Sequence, residues 1–144
     1  MLAPVLAVVS LFAQAFGGMW TCHSNGADVP WVIAPAPGSA WTTVRWSNQS
    51  NADGGIAYVG YVEPNKQWVY EDFHYDGSYA VNTSEGPHDN QWSWSGTYYL
   101  GQRTMHGQVI WKLASPARIE RTFIVVDNGK ATPSGADYCT KTTP

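Results

Sequence analysis

The sequence predicts an all-β protein, a single antiparallel up-and-down β-barrel of about eight to ten strands. Three observations predict it. Turn signals recur about every ten residues from Trp41 onward. The runs between them are rich in aromatic and β-branched residues and alternate in polarity, the two-residue period of a strand. Both faces of several runs are also partly apolar, so a flat sheet would leave one of them in water. A closed sheet has an interior to fill and no free edge. A two-sheet sandwich satisfies the same pattern and stays open at this stage.

The chain begins with a segment that reads as an address. No charged residue precedes Asp28, and Leu2 to Phe12 is almost wholly apolar. Ala13-Gln14-Ala15 then fits the small-residue pattern at which a secretory signal is cleaved. The expected signal covers residues 1–15, or extends to 18, and leaves one barrel domain over 16–144. No Lys or Arg precedes the apolar run. A buried or membrane-anchoring helix is the alternative, although the run is short of the roughly 20 residues a span needs.

The first strand is expected at 20–24. The proline-rich stretch 30–37 reads as an extended loop, since proline lacks the amide a ladder uses. Seven further strands are expected at 41–47, 56–62, 67–75, 78–84, 91–99, 102–113 and 117–127, and a last one at 130–140. Between them lie Asp53-Gly54-Gly55, Glu63-Pro64-Asn65-Lys66, Asp76-Gly77, Glu85 to Asn90, Leu100-Gly101, Ser115-Pro116 and Asp127-Asn128-Gly129. Gly and Asn accept the positive φ of tight turns, and Pro64 pre-sets φ for a turn's first central position. No window carries a helical stripe.

Composition narrows the function. Charged residues are 13% of the chain and the net charge is −3, which argues against a nucleic-acid partner. Hydrophobic residues are 44%, with eight Trp and eight Tyr, so a packed core is within reach. There is no G-x-S-x-G, H-E-x-x-H, Gly-Lys phosphate loop or G-x-G-x-x-G, which excludes the familiar serine hydrolases, zinc peptidases and nucleotide enzymes. An exported chain, periplasmic or extracellular, has no membrane span once its signal is cleaved. There an even pair of cysteines, Cys22 and Cys139, reads as a disulfide. A reactive or metal-binding pair is the alternative, but no C-x-x-C is present and His23 adds one ligand at most.

Several local patterns then fall in one order. They are Trp20-Thr21-Cys22, Gly60-Tyr61-Val62 before Pro64-Asn65, and Gln67-Trp68-Val69-Tyr70 after it. Asp76-Gly77-Ser78-Tyr79, Ser84-Glu85-Gly86, Trp92-Ser93-Trp94-Ser95-Gly96 and Cys139-Thr140-Lys141 follow. This order resembles a family of small exported bacterial proteins of uncharacterised function that look like calycin-type (lipocalin-like) β-barrels. The resemblance covers about residues 19–141 and rests on turns, strands and cysteines. It implies a barrel of about eight to ten strands and pairing of Cys22 with Cys139. It brings no catalytic set, and barrels of this kind hold fatty acids, haem or pigments, so fold alone leaves function open.

Chemistry-bearing residues concentrate in one strand. On 67–75, Trp68, Tyr70, Asp72 and His74 share one face, and Val69, Glu71, Phe73 and Tyr75 the other. If the Trp68 face points inward, a carboxylate sits beside an imidazole, as for a general base or a metal ligand pair. If it points outward, Asp72 and His74 are solubility residues. His106 lies mid-strand, where it could face His74 across a barrel. No metal or other cofactor is expected; haem, held by one His, is the alternative. Arg118 and Arg121 fall on opposite faces, and one of them could close a barrel end by stacking on Trp.

The expected ligand-lining set is Trp46, Tyr58, Tyr70, His74, Trp94, His106 and Trp111. Trp and Tyr offer apolar area with a polar tip, and Tyr58, Tyr70, His74 and His106 would fix orientation. The function that follows is binding of a small apolar or aromatic molecule in an aromatic-lined cavity. The alternatives are a packed structural or interaction domain of the cell envelope, and a small barrel enzyme (isomerase, cyclase or hydrolase) using Asp72, His74 and His106.

Overall fold

The computed structural model describes residues 10–47 and 54–142. The first nine residues of the expected signal, and Asp53 of the first expected turn, lie outside the described residues.

Ten long antiparallel strands pair in chain order and close on themselves. They are β1 (Gly18–Ser24), β2 (Ala27–Pro35), β3 (Thr42–Ser47), β4 (Gly54–Val62), β5 (Gln67–His74), β6 (Tyr79–Ser84), β8 (Gln91–Leu100), β9 (Arg103–Ser115), β10 (Arg118–Asp127) and β11 (Lys130–Lys141). A two-residue strand, β7 (Pro87–His88), adds a short ladder to the start of β8. Each long strand pairs with the next, β6 pairs with β8, and β11 returns to β1. The result is a ten-stranded up-and-down barrel without a free edge, an architecture consistent with a calycin-like fold. Cys22 and Cys139 are opposite each other in the β1–β11 ladder and form the disulfide that staples the first strand to the last.

The hairpins are short and carry turn chemistry. Asn25-Gly26 and Asn128-Gly129 each hold two successive residues at positive φ, the geometry of a turn whose twist matches that of the strands.

Three expectations are corrected. The 30–37 stretch is mostly strand, because β2 runs Ala27–Pro35. Its prolines are tolerated by position. The β3 ladder faces only Trp31 to Pro35, so Pro30 has a strand neighbour on one side alone, and Pro35 ends the strand. Gly54 and Gly55 belong to β4 rather than to a turn. A Cβ at Gly55 would meet the Trp46 ring at 2.6 Å, so glycine here makes room for an indole. Finally, the chain contains a helix, α1 (Leu11–Phe16), and a short 3₁₀ turn at Glu63–Asn65.

Helix α1 closes one end of the barrel. Phe12 and Phe16 are fully buried. The Phe12 ring packs against Tyr70, Trp92, Trp94 and Trp111, and the Phe16 ring against Trp92 and Trp111. Both ends of the helix are tied to the wall. Ser10 Oγ caps the first turn by accepting from the Ala13 amide at 3.1 Å and lies 2.8 Å from Thr42 Oγ1 on β3. The Trp20 indole donates to the Phe16 carbonyl at 2.8 Å. Around this plug lies the apolar core, with Trp20, Ile33, Val44, Val59, Trp68, Trp92, Ile119 and the disulfide.

Candidate functional site

Alternation along β5 sets the site. Trp68, Tyr70, Asp72 and His74 all face the barrel interior, while Glu71 and Phe73 face out. Trp68 joins the core at the α1 end, and the other three border a cavity of about 490 Å³ above it. That cavity reaches the opposite end of the barrel, where Asn25 of the β1–β2 turn and Leu100 at the end of β8 line it. Phe12 lies beneath: Tyr70, Trp94 and Trp111 touch its ring and also border the cavity.

The walls are aromatic. The Trp31 and Trp46 rings stack at 5.2 Å, and Trp46 meets the His74 ring edge-on, also at 5.2 Å. Tyr70, Trp94, Trp111 and Phe123 add further rings, and Met105, Val109 and Ile124 add aliphatic surface. Two facing glycines, Gly96 on β8 and Gly107 on β9, shape the polar side. A Cβ at Gly96 would lie 2.3 Å from Asn82 Oδ1, and one at Gly107 would lie 3.3 Å from the Tyr98 ring. These positions therefore admit the Asn82 amide and the Tyr98 phenol, whose hydroxyl donates to Asn82 Oδ1 at 3.0 Å.

One charged pair in the cavity is internally matched. Arg121 of β10 donates through Nε and Nη2 to Asp137 of β11 at 2.7 and 2.5 Å, a bidentate pair that is almost fully buried. The guanidinium lies 4.4 Å over the Trp31 ring and 5.4 Å from that of Trp111. The expected stacking of an arginine on tryptophan is thus made by Arg121, while Arg118 lies against Tyr138.

Asp72 is not matched. Its Oδ1 is buried and has no hydrogen-bond partner among the described residues. Its Oδ2 is 4.0 Å from His74 Nε2, too far for a hydrogen bond. Burial pushes the Asp72 carboxyl up to about 7, against a smaller opposing pull from Arg121. Burial also raises the Tyr70 phenol well above its usual range, and it pushes the Tyr98 phenol up to about 12, with the Asp72 charge adding in both cases. The buried Trp94 Nε1–H likewise has no acceptor among the described residues. A buried polar group without a partner costs roughly 1–3 kcal/mol. Two in one aromatic cavity mark positions where a ligand's polar atoms would be matched.

Of the residues expected to line a ligand site, Trp46, Tyr70, His74, Trp94 and Trp111 border this cavity. Tyr58 and His106 do not. Tyr58 is exposed on the outer wall, opposite Glu71 and against the Phe73 ring. His106 is exposed beside Thr97, its Nδ1 3.2 Å from Thr97 Oγ1. It does not face His74 across the barrel. Its strand turns odd-numbered residues inward, namely Met105, Gly107, Val109 and Trp111. His106 and Trp111 are an odd number of residues apart, so alternation admits only one of them to the interior.

Trp31, Asn82, Tyr98 and Asp137 also line the cavity and were not among the residues expected to do so. Trp31 was hidden by the prolines on either side of it. Tyr98 was visible, since it shares the phase of Trp92 and Trp94. Among the described residues, no three His, Cys, Asp or Glu side chains gather to hold a metal ion. No family model matches the chain, and no curated protein matches it.

Proposed function

We propose that this protein is an exported barrel that binds one small apolar or aromatic molecule in the cavity bordered by Tyr70, Trp94 and Trp111. The observation that carries the reading is the cavity itself. Its volume of about 490 Å³ falls in the range of small-molecule sites, and it is lined by seven Trp, Tyr and Phe side chains and holds two unpartnered buried polar atoms. Apolar area removed from water would supply the affinity, and Asp72 and Trp94 Nε1–H would fix the orientation. A disulfide between the first and last strands fits an oxidising compartment, as does the leader-like N-terminus. Membership of the small exported bacterial barrels that the sequence resembles is part of the same proposal.

The test is titration with neutral arenes such as propylbenzene and naphthalene, followed by calorimetry and by tryptophan emission. Saturable one-site binding is expected. It should weaken in Met105→Trp, which puts an indole at a half-buried position lining the cavity. Absence of saturable binding by any arene would overturn the reading.

The placing of Asp72 and His74 side by side on the cavity wall favours one second reading, a small barrel enzyme that uses both side chains. Incubation with a small-molecule extract separates the two. An enzyme consumes one compound and accumulates another, and Asp72→Asn abolishes this; a binder only retains its compound.

A further inference from the structure

We propose that the ligand is a cationic aryl-alkyl amine, held with its ammonium on Asp72 and its ring among Trp31, Trp46, Trp94 and Trp111. This rests on the ligand-binding reading above and specifies its chemistry.

Two carboxylates and one guanidinium line the cavity: Asp72, Asp137 and Arg121. Arg121 and Asp137 satisfy one another in a buried bidentate pair, and Arg121 also lies over the Trp31 ring. That pair is closed to a ligand. Asp72 is left as an unmatched acidic group with a buried, unpartnered oxygen. A carboxylate there is destabilised by burial, and a ligand that restores the missing charge and donates an N–H removes that penalty. An anion would meet Asp72 with the wrong sign and find Arg121 already occupied.

The walls agree with the charge. Four indoles and the Tyr70 ring border the space around Asp72. Tryptophan faces attract cations, most strongly when both partners are out of water. A neutral hydrocarbon uses the same rings but leaves Asp72 Oδ1 as it is. An ammonium joined to an aromatic ring by a short chain uses both.

The groups facing Asp72 set the pH behaviour. They are His74 and Tyr70 on β5, Tyr98 on β8, Arg121 on β10 and Asp137 on β11. The two phenols stay protonated in the neutral range, since burial raises both. Arg121 and Asp137 compensate each other. Asp72 therefore governs the response: its proton must leave before it can hold a cation. Amine affinity accordingly rises as the pH is raised through the Asp72 midpoint, and uptake releases a proton.

The experiment compares three ligands of nearly one shape on the full chain: phenethylamine, phenethyl alcohol and propylbenzene. Each is titrated calorimetrically from about pH 5.5 to about pH 8, on either side of the Asp72 midpoint. The expected result is that the amine binds about 10-fold or more tighter than the alcohol at the upper pH, the advantage of a charge-assisted hydrogen bond. That advantage shrinks at the lower pH. Asp72→Asn removes it, and the native far-UV circular dichroism spectrum of the variant shows that it is folded. Equal binding of alcohol and amine would overturn the inference and leave the apolar-binding reading standing. An amine preference that survives in Asp72→Asn would overturn it too. If none of the three binds, the reading beneath it falls as well.

Discussion

Asp72 Oδ2 stands 4.0 Å from His74 Nε2 on the inward face of β5, while the other oxygen of Asp72 is buried without a hydrogen-bond partner among the described residues. Burial of this carboxyl makes the barrel's stability depend on pH in a definite direction. Asp72 titrates near 3.8 when unfolded and at about 7 when folded. Below the first value both states hold the proton and there is no penalty. Between the two, the unfolded chain releases a proton that the folded chain keeps, so stability falls as pH rises; above about 7 the full penalty is present. Asp72→Asn removes the titration. Denaturant unfolding of the variant should match wild type near the lower value and exceed it by a few kcal/mol above the upper one. Parallel pH profiles would refute this.

The Arg121–Asp137 pair should behave as a buried salt bridge. Asp137→Ala leaves an uncompensated guanidinium over the Trp31 ring, at a cost of about 3–5 kcal/mol. Replacing both partners, Arg121→Met with Asp137→Leu, should recover most of that loss, because the desolvation penalty goes with the charges. Urea midpoints of the single and double variants check both statements.

How far these residues could be read in advance depends on the strand. On β5 the alternation of Trp68, Tyr70, Asp72 and His74 was legible, and only the direction of that face was open. On β9 the same rule was available: His106 and Trp111 could not both point inward, and the indole took the interior because its burial is worth more. In β2 the prolines masked a strand. Proline argues against a central strand only where neighbours flank it on both sides, and at Pro30 one side is open. The matching of Arg121 to Asp137, which leaves Asp72 alone, depends on the register of three strands and was beyond any local pattern.

The disulfide closes a span of 117 residues between strands that are already ladder partners. By the loop-entropy model, removing it should cost about 5 kcal/mol. Because ten ladders besides that bond hold the strand order, Cys22→Ala with Cys139→Ala should keep the native far-UV circular dichroism spectrum and lose only stability. Loss of the β signature at low temperature would show that the bridge is needed to form the barrel.

Phe12 gives a test that depends on processing. In the full chain its ring lies amid Tyr70, Trp92, Trp94 and Trp111, so Phe12→Ala should destabilise by about 3–5 kcal/mol. We expect cleavage after Ala15 on export, which removes Phe12 and opens the cavity floor. The exported chain should then be identical in mass and thermal midpoint whichever residue occupied position 12. A difference between the two exported products would show that Phe12 is retained.

The central claim is that the barrel carries a small molecule. Native mass spectrometry of the protein purified from its own compartment, with an absorption spectrum of the same sample, tests it most directly. The account predicts a mass above that of the disulfide-bonded polypeptide, with an adduct that Met105→Trp displaces. A bare polypeptide mass in every preparation, two hydrogens below the reduced chain, together with no uptake of added arenes or amines, would contradict it.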